Sequence, residues 1–600
     1  MTDLAQITRS TAYAAKPWRA HYDAGVPETL APYPTHPVHE FLAKTAARIP
    51  QNAAVITSAH LPIVGRQKAI LTYAQLETQA NALAAALVAL GLKKGDRAAI
   101  IMPNCVQFVI AYYAILKAGG VVCATNPTYP AEKMAVQIAD SGATFALVLS
   151  KFYDILKQAQ PKTSVKQVIV TNIKEYLPPL ARTLFTIAKE KKDGHRVTLA
   201  AGDLEFQALL TQYAGQKATV AVMPSDYAMF QYTGGTTGVP KAAMATHAAI
   251  IANTLQCKAW LTTGLPGEKE VFMAAIPLFH VYGIVSVLNL AVGVGASMLM
   301  IANPRETKEV LEVITAYKPT MFNGVPAMYN AINIHPDVLA GKYNLRSVRV
   351  CVSGSAPLPP TTKQKFEALT GGRLVEGYGL SETPTACIVN PCNGENRHGA
   401  IGLPMTDVEA RIVSLDDGLT EVPPGEIGEL CIHGPQLFDG YWNMPTETHN
   451  SLRVDADGKK WLYTGDVARM DPDGFFYIVD RKKDMAIIGG FNVYPNNVEK
   501  TLMEHPAISE AAVAAIQHPD KPGQEALKAW VLLKPGASCT QEELIAFAEK
   551  KLARYEVPTR IEVAQDLPRT TVGKVLRREL QENEKMQVAR KLNVQKPDRA

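Results

Sequence analysis

Apolar residues recur along the first 150 positions in two alternating patterns. Thr72-Tyr73-Ala74-Gln75 has the spacing of a capping box, and the Ala/Leu-rich run that follows it to Gly91 predicts a helix. A short apolar run over 97–102 predicts a buried strand, 106–117 a helix closed by Gly119-Gly120, 121–124 a strand, 131–140 a helix and 144–150 a strand. Strands that alternate with helices in this way predict an α/β chain whose sheet is largely parallel and covered on both faces.

Two stretches break the rhythm. Residues 176–192, YLPPLARTLFTIAKEKK, set Leu, Phe and Ile beside Arg182, Lys189, Lys191 and Lys192. This suits an amphipathic segment resting on a membrane surface. A plain surface helix with a solvated basic end fits equally well. Residues 271–304 carry no acid, Lys or Arg, and 284–302 alone has about the length of a spanning helix. Gly293 and Gly295 interrupt it, however. The pattern therefore predicts a buried helix from Gly283, a turn near 293–295 and a buried strand over 297–301.

Toward the C-terminus, 475–479 predicts a strand. Asp480-Arg481-Lys482-Lys483-Asp484 follows, a charge run between apolar stretches, where a domain boundary is expected. Beyond it, 498–503 predicts a helix, and 511–516 and 528–534 predict strands. Thr540-Gln541-Glu542-Glu543 is a second capping box, opening a helix with Leu544, Phe547, Ala548 and Leu552 on one face. The polar stretch 583–600 predicts a frayed tail.

Composition narrows the class. Six hundred residues exceed what one core supports, so two or more domains are expected. A net charge of +5, with abundant acids as well, is too mild to argue for nucleic acid. The 8 cysteines form no CxxC or Cys/His ladder, which predicts reduced thiols and no structural zinc. The N-terminus lacks the apolar core of a signal peptide. Together these predict a cytoplasmic chain, with peripheral contact on the inner face of the membrane as the open question.

Candidate chemistry centres on YTGGTTGVPKAAMATH, from Tyr232 to His247. Gly234, Gly235 and Gly238 allow a tight turn that presents backbone N–H groups to an anion. Thr233, Thr236 and Thr237 add hydroxyls, and Lys241 adds a charge that reaches a phosphate. The spacing is not that of a Walker loop, because Gly and Lys are not adjacent and no Ser or Thr follows the Lys. His280 follows Pro277-Leu278-Phe279 on an apolar stretch, and Gly324 and Gly354 lie in small-residue turns beyond apolar runs. In open α/β sheets ligands sit beyond such strand ends. Glu376 to Thr383, EGYGLSET, offers a Tyr378 that can stack on a base and a Glu382 that suits Mg²⁺. Asp466, in Tyr463-Thr464-Gly465-Asp466, is placed to accept from ribose hydroxyls. PRTTVGKVLRR, 568–578, carries Lys574 on a loop that enters a helix.

These motifs resemble those of the adenylate-forming enzymes, which include acyl-CoA synthetases, luciferases and peptide-synthetase adenylation domains. The resemblance runs from about 40 to 578, with Ala242 standing where the family usually has Gly. Glu376 and the run 480–495 resemble the bacterial long-chain fatty-acyl branch more than the 4-coumarate branch. The resemblance implies a large multi-layered N-terminal domain, 1–481, with mostly parallel sheets and a β-barrel-like subdomain. It also implies a small α+β C-terminal domain, 482–582, joined by a hinge at Lys483. The substrates it implies are a fatty acid, ATP and coenzyme A, with Mg²⁺ held by Glu382 and Thr233.

ATP contacts fall to Thr233, Gly234, Gly235, Thr236, Thr237, Gly238, Lys241, Ser355, Glu376, Gly377, Tyr378, Gly379, Ser381, Asp466, Ile478, Arg481 and Lys574. The acyl pocket falls to His280, Val281, Gly324, Val325 and Gly354, with His280 as a lining residue and not a base. Lys574 and Glu382 are the catalytic residues, and Gly489 and Gly490 leave room for coenzyme A. A carrier-protein acyl ligase, an aromatic or medium-chain acid–CoA ligase and a non-catalytic acyl or nucleotide sensor are the alternatives. A sensor would be expected to have lost Lys574, Glu382 or Asp466. A homodimer is compatible with the resemblance, since some relatives dimerise.

Overall fold

The helix Val106–Lys117 is buried at every position from Val106 to Leu116 and packs on the helix Tyr73–Ala89. A helix apolar on all sides belongs inside a layer, not on its surface. The reciprocal capping box at Thr72 and Gln75 starts Tyr73–Ala89, as its sequence predicts. The computed structural model describes residues 11–61, 65–233, 240–263, 265, 269–518, 524–570 and 574–594. The chain divides into two units. The larger contains 18–409 and 433–462, and the smaller 1–17, 410–432 and 463–600.

In the larger unit a seven-stranded sheet runs Leu204–Glu205, Gln167–Thr171, Phe145–Leu149, Arg97–Ile101, Val121–Ala124, Tyr227–Thr233, Lys241–Thr246. Its pairs are parallel except the last, an antiparallel hairpin in which Thr233 faces Lys241. The inner strands Val121–Ala124 and Phe145–Leu149 are buried throughout, which explains why they read as continuous apolar runs. Val271–Ala274, Ser297–Met300, Ala53–Leu61 and Gly65–Thr72 make a second sheet. Bridges through Met321 join it to the sheet of Val350–Ser353, Arg373–Gly379, Ala386–Val389 and Leu403–Pro404.

The acid-free stretch folds as expected at its end, with Gly295 at a left-handed φ of 82° before the strand Ser297–Met300. Its helix differs from a plain α-helix. Ile284–Asn289 is π-helical, and all six residues are buried. Asn289 there bonds Tyr112 and Tyr113, so the wider turn lies where a buried amide meets two phenols. No helix among the described residues is long and apolar enough to cross a membrane.

In the smaller unit the strands Gly428–His433, Lys460–Met470 and Phe476–Arg481, in their greater part, form a half-barrel sheet. An α+β element follows, with Ile508–Gln517, Glu525–Leu533 and Arg560–Val563 as its sheet. The helices Pro495–Met503 and Gln541–Glu549 pack on it, the second started by the capping box of Thr540 and Glu543. Leu552 lies just beyond that helix but joins the same core. The stretch beyond Glu582 differs from the expected frayed tail. The helix Arg577–Val594 runs on past Glu582 as far as Val594, and buried Glu584 pairs with buried Lys528. A polar sequence has no apolar period to announce a helix, and here a tertiary ion pair holds its first turns.

Candidate active site

Three groups of side chains carry the sequence-predicted chemistry. The first surrounds the mouth of the hairpin Tyr227–Thr233/Lys241–Thr246. Gly234, Gly235, Thr236, Thr237 and Gly238 lie outside the described residues. Thr233 Oγ1 donates to the Lys241 carbonyl at 3.4 Å, which ties the two ends of the loop together. Lys241 Nζ pairs with Glu447 and lies 5.5 Å from the centre of the Tyr441 ring. Tyr441 Oη donates to Glu382 Oε1 at 2.6 Å, and the Phe438 amide donates to the Glu382 carbonyl at 2.9 Å. Glu382 and Thr233 thus offer a carboxylate and a hydroxyl, hard oxygen donors of the kind Mg²⁺ takes together with substrate phosphates. Ala242 buries its methyl with Val121, Cys123 and Phe230.

Tyr378 lies on the strand Arg373–Gly379, half-buried and opposite Ile388. The glycines around it are required by space. A Cβ on Gly379 would stand 1.5 Å from the Thr385 carbonyl oxygen, and one on Gly377 would stand 2.9 Å from Val352. Buried Glu376 accepts from the Leu358 amide at 3.0 Å and so anchors the turn that holds Ser355 in a left-handed conformation, φ 70°. Ser381 sits in the turn between Leu380 and Thr383.

The second group is the acyl-pocket set. Buried Asn104, at the end of the strand Arg97–Ile101, donates to the carbonyls of Ala274 and Ile276 and accepts from the Leu278 amide at 2.7 Å. Those bonds place His280, whose Nδ1 accepts from the Tyr282 amide at 3.2 Å. Burial pushes the imidazole down to about 4, so it stays neutral at pH 7. Val281, next in sequence, is buried, and buried Val325 packs with Ile276 and Tyr282. Gly324 and Gly354 both lie against Tyr282, the first through its carbonyl. Tyr282 Oη lies 3.3 Å from the Gly324 carbonyl and donates to the Val352 carbonyl at 2.8 Å, and a Cβ on Gly354 would meet Tyr282 at 3.2 Å.

The third group belongs to the smaller unit. Buried Asp466 pairs across the sheet with Arg481, whose Nε lies 3.3 Å from Asp466 Oδ1. Ile478 stands on the same strand as Arg481. The Lys574 amide donates to Thr570 Oγ1 at 3.1 Å, and the Lys574 carbonyl accepts from the Thr570 amide at 2.8 Å. Burial, with the charge of Arg481 nearby, pushes the Lys574 ammonium down to about 7, against the pull of Asp466 and Asp484. Gly489 and Gly490 form the turn of the hairpin Ala486–Ile488/Phe491–Val493, both left-handed, with open space where a side chain would stand.

Tyr441, Glu447, Asn104 and Tyr282 were not singled out by their sequence. Tyr441 meets Glu382 from 59 positions away, and Asn104 meets Leu278 from 174. No local pattern reports a contact over such a separation.

A family described as AMP-binding enzyme matches residues 42–442, and the family described as AMP-binding enzyme C-terminal domain matches 497–574. The chain belongs to this AMP-binding, adenylate-forming enzyme family. It is 41% identical over 573 residues to a long-chain-fatty-acid–CoA ligase of Bacillus subtilis, covering 95% of this chain and 98% of that one. It is 36% identical over 579 residues to a protein of the same description from Escherichia coli O6:H1, covering 96% and 100%. Among solved structures, ATP-bound MatB from Rhodopseudomonas palustris superposes with a TM-score of 0.77 at 27% identity, covering 92% of this chain and 99% of that one.

Two outcomes follow from the geometry. Tyr441→Phe removes a hydrogen bond to a carboxylate, worth about 1.5–3 kcal/mol and so about ten- to a hundredfold in rate if it serves the reacting state. Acid-dependent pyrophosphate release should fall by that factor and need more Mg²⁺. The melting temperature should hold, since the ring keeps its edge contact with Phe438. An unchanged rate and Mg²⁺ dependence would remove Glu382 and Tyr441 from the site. Lys574 should react with an amine-specific label half-maximally near pH 7 in the substrate-free protein, well below exposed lysines, as read by peptide mass spectrometry. The unfolded chain then binds more protons between about pH 7 and the ordinary lysine value, so this group's contribution to stability rises with pH across that window. Labelling of Lys574 only above pH 10 would contradict it.

Proposed function

We propose that this protein is an AMP-forming long-chain fatty acid–CoA ligase. The observation that carries the reading is that a chain so similar to such ligases along nearly its whole length keeps Lys241 and Glu382 in one unit and Lys574, Asp466 and Arg481 in the other. The carboxylate of the acid attacks the α-phosphorus of ATP, pyrophosphate leaves, and an acyl adenylate forms. The thiolate of coenzyme A then attacks the acyl carbon and AMP leaves.

Each group has a task in this reading. The loop 233–241 and Lys241 hold the β- and γ-phosphates, and Asp466 accepts from the ribose hydroxyls. Tyr378 and Ser355, with Glu376 behind them, line the adenine and α-phosphate positions with Gly377, Gly379, Ser381 and Ile478. His280, Val281, Gly324, Val325 and Gly354 border the acyl chain. Glu382 and Thr233 would hold Mg²⁺, which would neutralise charge on the phosphates. Lys574, with Asp466 and Arg481 nearby, places its charge between the acid and the α-phosphate, where charge develops in the transition state. A buried ammonium at about 7 is readily recharged by an arriving phosphate.

The second step needs Lys574 withdrawn, because the thiol must reach the same carbon. In this reading residues 482–582 turn about Lys483 relative to 1–481 and bring Gly489 and Gly490 toward the nucleotide. Two left-handed glycines without side chains leave a narrow path for the pantetheine arm.

Peripheral membrane contact belongs to the same proposal. The helix Pro179–Ala188 exposes Leu180, Leu184 and Ile187, spaced along one face, with Ile187 78% exposed, and exposed Lys189, Lys191 and Lys192 follow. An apolar face beside a cationic end suits the surface of an anionic bilayer, from which a long-chain acid is drawn.

The first test is Lys574→Ala. Acyl-adenylate formation from acid and ATP should fall about 100- to 1,000-fold, while conversion of supplied acyl-AMP and coenzyme A to thioester is largely kept. Equal damage to both would refute the assignment of Lys574 to adenylation. The second test is sedimentation with vesicles. Those with anionic lipid should retain the protein, salt should weaken retention, and replacing Lys189, Lys191 and Lys192 with Gln should abolish most of it without changing turnover on a soluble acid. Retention that ignores both salt and these substitutions would count against membrane docking through this segment.

A further inference from the structure

We propose that Arg577 is a positioning residue that latches Lys574 in its adenylating pose by gripping Asp480, and that the latch must open before coenzyme A reacts. This rests on the two-pose reading above. Arg577 begins the helix Arg577–Val594, three residues beyond Lys574. The short segment between them is tied down at both ends, the Lys574 amide donating to Thr570 Oγ1 at 3.1 Å and the Leu576 amide to the Pro568 carbonyl at 2.8 Å. Where the guanidinium sits therefore decides where Lys574 sits.

The guanidinium is surrounded. Its Nε donates to Glu499 at 2.9 Å, and its Nη1 lies 3.3 Å from Asp480 Oδ1 and 3.5 Å from Asp484 Oδ2. Its Nη2 pairs with Glu499 at 2.7 Å and also donates to Asn496 Oδ1. Asp480 is fully buried and receives two further bonds, from the Arg481 amide at 2.8 Å and the Asn496 amide at 2.7 Å. The Asn496 side chain donates to the Val479 carbonyl at 3.1 Å.

The pivot divides these bonds into two kinds. On its N-terminal side, the Lys482 amide donates to the Gly465 carbonyl at 2.8 Å and its ammonium pairs with Glu429 at 2.9 Å, so 480–482 are pinned to the half-barrel sheet. On its C-terminal side Asp484, Asn496, Glu499 and Arg577 belong to the α+β element. Rotation about Lys483 leaves the bonds of Arg577 to Glu499 and Asp484 intact. It breaks the bonds to Asp480 and Val479. One cation facing three carboxylates favours such exchange, because Arg577 keeps carboxylate partners when Asp480 is released. An ordinary structural ion cluster has no reason to straddle the pivot.

The test uses the full-length enzyme with its two half-reactions assayed apart. Asp480→Asn and Asn496→Ala each weaken the grip without removing the cation. Adenylation should fall about tenfold or more, the loss of one charge-assisted hydrogen bond, while thioester formation from supplied acyl-AMP stays level or rises. The half-labelling pH of Lys574 should move upward from about 7, which a purely structural lesion elsewhere in the fold would not do. Arg577→Lys should recover part of what Arg577→Ala loses. Should Arg577→Ala fail to fold, having stranded its carboxylates, the two milder variants decide. Variants that melt normally and slow both steps equally, or neither, overturn the latch. Lys483→Pro serves as the control, since proline fixes φ and deletes an N–H. A proline variant that completes both steps at the normal rate removes the two-pose reading itself. A stalled second step there, with no split in Asp480→Asn, overturns the latch alone.

Discussion

Like charges have to meet in this protein, since an acid and a triphosphate are both anions, and the placement of cations governs the rest. Lys241 and Lys574 stand in different units, and each has acids near it. Lys241 is held by Glu447 against the Tyr441 ring. Lys574 lies half-buried near Arg481, Asp466 and Asp484, where its charge is costly until an anion arrives. A cation poised near neutrality answers the arrival of a phosphate strongly, which a solvated lysine does not.

Several segments beside these groups are irregular backbone, and buried polar side chains hold them. Asn104 makes three bonds to the segment 274–278, and Glu376 fixes the turn at Ser355. Asp480 gathers bonds from the amides of Arg481 and Asn496 and from Arg577. A satisfied buried hydrogen bond contributes only about 1 kcal/mol net, but an orphaned partner costs about 1–3 kcal/mol, so these loops have few alternatives. The glycines complete the picture by subtraction. Gly377 and Gly379 let the strand of Tyr378 lie against its neighbours at distances no side chain permits.

Where the pattern was local, the sequence alone was a sound guide. The helix Val106–Lys117, the strand Val121–Ala124 and both capping boxes stand where their residues predict them. The fold class followed from the alternation of those elements. The departures share one cause. The π-helical turn at Ile284–Asn289 answers to two tyrosines far away in sequence, and the helix beyond Glu582 answers to Lys528. Neither partner leaves a mark on the local period.

The chain by itself therefore determined the elements, the family and the residue types of the candidate site, because helix and strand periods, caps and short motifs are properties of neighbouring residues. Tertiary structure alone decided which side chains touch. It brought Tyr441 to Glu382, set Tyr282 against Gly324 and Gly354, half-buried Lys574 near Asp466 and Arg481, and closed Arg577 on Asp480. Each of these depends on burial and on distance through space, and a linear pattern encodes neither until the chain has folded.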